Sequence, residues 1–168
     1  MELLLWRHAE ALDGSPDHAR ELSPRGRKQA EKVAAWLSLH APGKPRLLVS
    51  PTVRTRQTAG FLLQGAGAQG AEKMEIHDIL ASAASPAEIL SYLDWPKAQT
   101  PLLVVGHQPM LGEIAARLLG DAPYPSSFRK GALWWLRGEP ERKAAILWQV
   151  VEAETLPDVA GSKPEEIE

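Results

Sequence analysis

The stretch LLLWRH occupies residues 3–8, almost at the start of the chain, and sets the interpretation of everything that follows. Residues 3–6 form an uninterrupted apolar run, a pattern typical of a strand that is buried on both faces of a parallel sheet. Arg7 and His8 end this run at once. Two polar residues therefore come directly after a predicted buried strand.

Similar apolar runs recur along the chain and alternate with helical patterns. Further strands are predicted over residues 47–49, 74–79, 102–105, 131–136 and 144–151. Three helices are predicted to begin at Ser-Pro pairs, because serine caps a helix and proline suits its first position. These pairs lie at residues 23–24, 50–51 and 85–86, and a fourth helix is predicted over about residues 110–119. Gly138 and Pro140, between the last two strands, predict a hairpin.

This alternation predicts an α/β fold with a mainly parallel central sheet and helices on both faces. The connections between the predicted strands are short, so no lid domain is expected. We expect one domain over residues 1–155. An acidic tail, residues 156–168, follows it and is predicted to be mobile because it contains Gly161 and Pro164.

The bulk composition excludes several classes of function. The 168 residues carry a formal net charge of -2, which provides no basic footprint for nucleic acid or for an anionic membrane surface. There is no cysteine, so disulfides, thiolate metal sites and a cysteine nucleophile are excluded. No run is long enough to span a membrane or to act as a signal peptide, and a cytoplasmic location is expected. The histidines lack metal-ligand spacing, so neither a metal nor an organic cofactor is expected.

Three predicted strand ends carry residues suited to phosphate chemistry. Arg7 and His8 follow the first strand. Arg54 lies in the first helical turn after the second strand, and His107 follows the strand at residues 102–105. If these strands are neighbours in a parallel sheet, two guanidinium groups and two imidazoles meet at one edge. Guanidinium groups bind phosphoryl oxygens in pairs, and a neutral imidazole can attack phosphorus to form a covalent phosphohistidine. The spacing alone leaves open which histidine attacks.

Four short motifs resemble those of the histidine phosphatase superfamily. They are LWRHAEA at residues 5–11, LSPRG at 22–26 with QA at 29–30, SPTVR at 50–54 with QTA at 57–59, and VGHQP at 105–109. In this short chain they are most similar to the SixA branch of bacterial phosphohistidine phosphatases, and the resemblance covers residues 1–151. It implies a phosphoglycerate mutase-like fold. It also implies that His8 is the nucleophile and that Arg7, Arg54 and His107 bind the phosphoryl group.

The sequence shows no clear general acid for the leaving group. Glu10 and Asp78 are the candidates, with Glu72 and Glu75 near Asp78 as further carboxylates. An alkoxide needs such an acid, whereas a phosphorylated imidazole that is protonated on its other nitrogen leaves as neutral imidazole. We therefore predict hydrolysis of phosphohistidine in a protein, with a small phosphomonoester as the alternative substrate. A non-catalytic phosphate-binding module is a third hypothesis, and the intact set of four residues argues against it.

Other conspicuous residues receive structural interpretations. Ser50 is interpreted as the cap of the second helix, and Trp148 as a core residue. Residues 9–21 are predicted to form a loop, in which His18 is expected to stay outside the pocket.

Overall fold

The computed structural model describes residues 1–65, 71–81, 83–120, 128–142 and 144–160. The strands are β1 (Glu2–Arg7), β2 (Arg46–Val49), β3 (Met74–Ile76), β4 (Leu102–Gly106), β5 (Leu133–Arg137) and β6 (Ile146–Val151). The helices are α1 (Pro24–His40), α2 (Val53–Gln64), α3 (Pro86–Tyr92) and α4 (Met110–Leu118). Short 3₁₀ turns lie at Asp17–Ala19, Asp78–Ala81 and Ala153–Thr155.

The six strands form one sheet in the order β3-β2-β4-β1-β5-β6. The four strands β3, β2, β4 and β1 run parallel, whereas β5 and β6 add an antiparallel hairpin at one side. Strand β4 lies between β1 and β2, so the three strands with predicted site residues are neighbours. The predicted α/β fold with a mainly parallel sheet is confirmed, and so is the hairpin.

Side chains of β1 pack in two separate core layers, because successive residues of a strand point to opposite faces. Leu4 and Trp6 pack in the layer that α1 and α2 cover. Leu3 and Leu5 pack in the layer that α3 and α4 cover. All four side chains are fully buried, which confirms helices on both faces and a central position for β1.

Helix starts follow the sequence prediction at two of the three Ser-Pro pairs. Ser23 accepts a hydrogen bond from the backbone N–H of Gly26 at 3.0 Å, and Ser85 forms a capping box with Glu88. The third prediction is wrong, because α2 begins at Val53 after Thr52 as its N-cap. Ser50 is not a cap: its hydroxyl lies 2.8 Å from Nε2 of His107.

Two further details differ from the sequence prediction. The strand predicted over residues 74–79 ends at Ile76, because β2 offers partners only as far as Val49, and Asp78–Ala81 forms a 3₁₀ turn instead. Trp148 is not a core residue, since 54% of it is exposed. It lies on the sheet-edge strand β6, and the guanidinium of Arg137 covers its ring at 3.5 Å from the centroid.

The C-terminal segment is described only as far as residue 160, so most of the predicted tail lies outside the described residues. Asp158 lies before that point and forms an ion pair with Lys32 of α1 at 2.9 Å. Among the described residues, none of the helices is long and apolar enough to cross a bilayer.

Candidate active site

The carboxyl ends of β1, β2 and β4 hold the candidate site. The backbone N–H of His8 donates to the carbonyl of Gly106 at 3.1 Å, and that of Ser50 donates to the carbonyl of Val105 at 3.1 Å. His107 is the residue directly after β4. One residue beyond each of three neighbouring strands therefore faces the same edge of the sheet, where ligands bind in open α/β folds.

The backbone around His8 is held from both sides. Its carbonyl accepts a hydrogen bond from the N–H of Gly131 at 3.0 Å, just before β5. The N–H of Ala9 donates to the Thr58 hydroxyl of α2 at 3.1 Å. His8 is 8% exposed, so its imidazole is a buried group with a fixed attachment.

The two histidine rings are neighbours, with 5.3 Å between their centroids and 56° between their planes. Nδ1 of His8 lies 2.7 Å from the carbonyl oxygen of Ala9. A carbonyl only accepts hydrogen bonds, so Nδ1 of His8 carries the proton. In the neutral ring, Nε2 of His8 then holds the free lone pair, which is the state that an attacking imidazole needs.

Hydrogen bonds also indicate which ring nitrogen of neutral His107 carries the proton. Nη2 of Arg54 lies 3.4 Å from Nδ1 of His107, and a guanidinium only donates. Nδ1 must therefore accept, and the proton of the neutral ring sits on Nε2. That nitrogen donates to the Ser50 hydroxyl at 2.8 Å. Ser50 is completely buried, so sequence analysis missed a residue that orients His107.

Both arginines keep hydrogen-bonding capacity for an anion. Nη1 of Arg7 donates to the carbonyl of Phe128. Arg54 is 8% exposed and donates from Nη1 and Nη2 to Asp17. The Nε atoms of Arg7 and Arg54 are buried and meet no acceptor among the described residues. Oxygens of a tetrahedral anion between the two groups would supply such acceptors.

Asp17 is the second residue that sequence analysis missed. Its backbone carbonyl accepts from Nη1 of Arg54 at 2.8 Å, and its Oδ2 accepts from Nη2 at 3.0 Å. The available signal was weak: an acidic residue three positions before Arg20, in a loop that follows the Arg-His pair. His18 beside it is exposed, as expected.

Burial and positive charge shift the pKa values of the cluster. Burial, followed by the charges of His107, Arg54 and Arg7, lowers the pKa of His8 to about 3, although the bond to Ala9 opposes this. Burial and then the Arg54 charge lower the pKa of His107 to about 4. Hydrogen bonds from Arg20 and Arg54 lower the pKa of Asp17. At neutral pH the site thus holds two neutral imidazoles and an ionised carboxylate.

These pKa values predict acid sensitivity of the folded state. Between pH 6.5 and pH 4 the unfolded chain binds more protons than the folded chain, so the free energy of unfolding falls as pH decreases. From pH 7 to pH 5 the loss is expected to be about 2 kcal/mol for each of His8 and His107. Urea denaturation at the two pH values measures it. His8→Asn should remove about half of the loss, and an unchanged pH dependence would contradict the depressed pKa of His8.

The candidate general acids are engaged outside this cluster. Oε1 of Glu10 accepts from the Ser23 hydroxyl at 2.8 Å, and its Oε2 lies 3.6 Å from Arg25. Asp78 is exposed in its 3₁₀ turn. Glu72 and Glu75 form ion pairs with Lys44 and Arg46 respectively. Within the described part of the chain, Asp17 is the carboxylate in hydrogen-bond contact with the four-residue cluster. In the same part, no group of three His, Asp or Glu side chains is arranged to hold a metal ion.

Comparison with known proteins identifies relatives of this chain. Residues 3–82 match the family model of the histidine phosphatase superfamily, branch 1. A phosphohistidine phosphatase SixA homolog of Haemophilus influenzae is 30% identical over 164 residues, which cover 93% of each chain. The phosphohistidine phosphatase SixA of Escherichia coli K12 is 28% identical over 127 residues, covering 73% of this chain and 78% of the relative.

A solved structure shares the fold. The protein histidine phosphatase SixA complexed with tungstate superposes with a TM-score of 0.79, covers 91% of this chain and 97% of its own, and is 22% identical. The expected family resemblance is thus confirmed by sequence and by fold. This chain belongs to the histidine phosphatase superfamily and is a phosphatase of that superfamily.

Proposed function

We propose that this phosphatase removes phosphoryl groups from phosphohistidine in a protein, through a covalent intermediate on His8. One observation supports this above all: Nε2 of His8 holds a free lone pair beside two arginines and a second imidazole. The relatives named SixA support the substrate class. A cytoplasmic location is part of the same proposal.

The reaction runs in two displacements. Nε2 of His8 attacks phosphorus while the bond from phosphorus to the leaving nitrogen breaks, and the leaving imidazole keeps that electron pair. Nδ1–H of His8 stays on the Ala9 carbonyl, which stabilises the positive charge that the phosphorylated ring acquires. Water then attacks phosphorus, the bond to Nε2 breaks, and inorganic phosphate leaves.

The arginines stabilise the charge on the transferred group. The buried Nε atoms of Arg7 and Arg54 meet no acceptor among the described residues, which makes them suitable donors to equatorial phosphoryl oxygens. His107 is neutral at neutral pH, because burial and then the Arg54 charge near its Nδ1 lower its pKa. A bound phosphoryl dianion raises the pKa of a nearby imidazole, so His107 becomes a better donor once substrate is present.

The carboxylates favour a nitrogen leaving group. Asp17 touches the cluster but is ionised, because Arg20 and Arg54 hold its pKa below its usual range. An ionised carboxylate has no proton to give to an alkoxide. A phosphoimidazole that is protonated on its distal nitrogen needs no such proton, since it departs as a neutral ring. This supports phosphohistidine over a small phosphomonoester.

Turnover of two substrate classes tests the proposal. The purified protein is assayed on a phosphohistidine-bearing protein domain and on sugar phosphates and nucleotides, whose leaving groups are alkoxides. Without a general acid, kcat/KM on the esters should be lower than on the phosphohistidine domain by a factor on the order of 10² or more. Equal or higher values on one ester would favour the small phosphomonoester instead. Phosphate binding without any turnover would favour a non-catalytic module.

A further inference from the structure

An exposed loop forms hydrogen bonds with Arg54 through Asp17. Residues 12–19 are all exposed, and they lie between β1 and α1. At its base, the N–H of Leu12 donates to the carbonyl of Glu21 at 2.8 Å. Asp17 bridges the gap to α2 by accepting two hydrogen bonds from Arg54. A residue of which 68% of the side chain is exposed thus contacts an arginine side chain that is 9% exposed.

The contact occupies one particular edge of the Arg54 guanidinium. Its end-on edge, Nη1 and Nη2, donates to the carbonyl and Oδ2 of Asp17. The side-on edge consists of Nε and the second N–H of Nη2, which lie on the same side of a planar guanidinium. Nε meets no acceptor among the described residues, and Nη2 approaches Nδ1 of His107. On this edge Nε is therefore the donor left for an anion, while Nη2 donates to His107.

Asp17 is itself held in place. Nη1 of Arg20 donates to its Oδ1 at 3.1 Å, and Nε of Arg20 donates to the carbonyl of Leu12 at 2.7 Å. The carboxylate is thus bonded through one oxygen to its own loop and through the other to Arg54. A carboxylate fixed at both oxygens has little freedom, which suits it to fix the direction of a neighbouring side chain.

We propose that Asp17 is a positioning residue that holds the outer edge of Arg54 so that its inner edge meets the phosphoryl group. The inference rests on the proposed function, because it assigns Asp17 to the same phosphoryl transfer. It gives the carboxylate an indirect role, through Arg54, with no contact to the leaving group. A misdirected guanidinium would lose much of its value in the transition state, because oriented groups lose their effect when displaced by about 1 Å.

Asp17→Ala tests this role. The variant keeps the backbone carbonyl bond and loses the carboxylate bond, so kcat should fall about 10-fold with little change in KM. The fall should be the same on a phosphohistidine-bearing domain and on p-nitrophenyl phosphate, since both carry the same phosphoryl group. Asp17→Asn keeps one acceptor oxygen and should recover most of the rate. Asp13→Ala is the matched control: it removes the same charge from the same loop at a fully exposed side chain, and kcat should not change.

A double-mutant cycle separates an action through Arg54 from a direct action. In an Arg54→Ala background, Asp17→Ala should cost nothing further, because residues that act through one another are not additive. A further 10-fold loss in that background would overturn the inference, and so would a loss confined to one substrate. If His8→Ala keeps turnover, the proposed function fails. If His8→Ala is inactive but Asp17→Ala has the kcat of the wild type, only the positioning role is refuted.

Discussion

His8→Ala protein is expected to show no turnover above the uncatalysed background on a phosphohistidine-bearing domain. The physical reason is that the covalent route needs the Nε2 lone pair, and Nδ1–H on the Ala9 carbonyl leaves that lone pair free in the native protein. His107 does not replace it at phosphorus, since both of its ring nitrogens are engaged, with Ser50 and Arg54.

Two measurements check this result. Steady-state release of inorganic phosphate gives kcat, and mass spectrometry of rapidly quenched wild-type protein should show one added phosphoryl group that the variant lacks. His40→Ala is the control, because His40 is exposed at the end of α1 and bonds its own helix through the carbonyl of Trp36. Full activity of His8→Ala would show that the nucleophile lies elsewhere.

Arg54→Ala is expected to lower kcat by a factor on the order of 10² to 10³, the usual cost of one donor to a transition-state oxyanion. Arg54 is buried beside His107, and its Nε has no acceptor among the described residues, so this donor is available to a phosphoryl oxygen. Arg54→Lys should lose most of the rate as well, because an ammonium group keeps the charge but lacks the fork.

Arg56→Ala is the matched control for this prediction. Arg56 lies on the same helix, two residues further along, and is exposed. The kcat of Arg56→Ala should equal that of the wild type. Arg54→Ala and Arg56→Ala should both keep the wild-type melting temperature to within a few degrees. If Arg54→Ala and Arg56→Ala had the same kcat, Arg54 would not stabilise the phosphoryl group.

Local patterns were sufficient for much of the fold. The apolar run at residues 3–6 predicts a strand buried on both faces, and the structure buries all four side chains. Ser23 and Ser85 cap helices as predicted, because a cap depends on a few neighbouring residues. The prediction of a core position for Trp148 is wrong, because the hydrophobic pattern of a strand does not indicate whether that strand lies at the sheet edge.

Ser50 shows where a local pattern misleads. The Ser-Pro pair suits a helix start, yet the Ser50 hydroxyl is directed to His107, 57 residues further along the chain. The order β2-β4-β1 brings these residues together. A hydrogen bond to a distant imidazole therefore replaces the capping bond, and no spacing in the sequence reveals it.

The chemical groups can be read from the sequence: two arginines and two histidines, each at or shortly after a predicted strand end, and no thiol. The folded sheet adds the tautomer of His107, the free Nε of Arg54 and the contact of Asp17 with Arg54. Residue type and strand pattern depend on near neighbours in the chain, as does the bond of His8 to the Ala9 carbonyl. The tautomer of His107 and the orientation of the Arg54 guanidinium depend instead on partners 37 to 57 residues away, which only the folded sheet brings within hydrogen-bond distance.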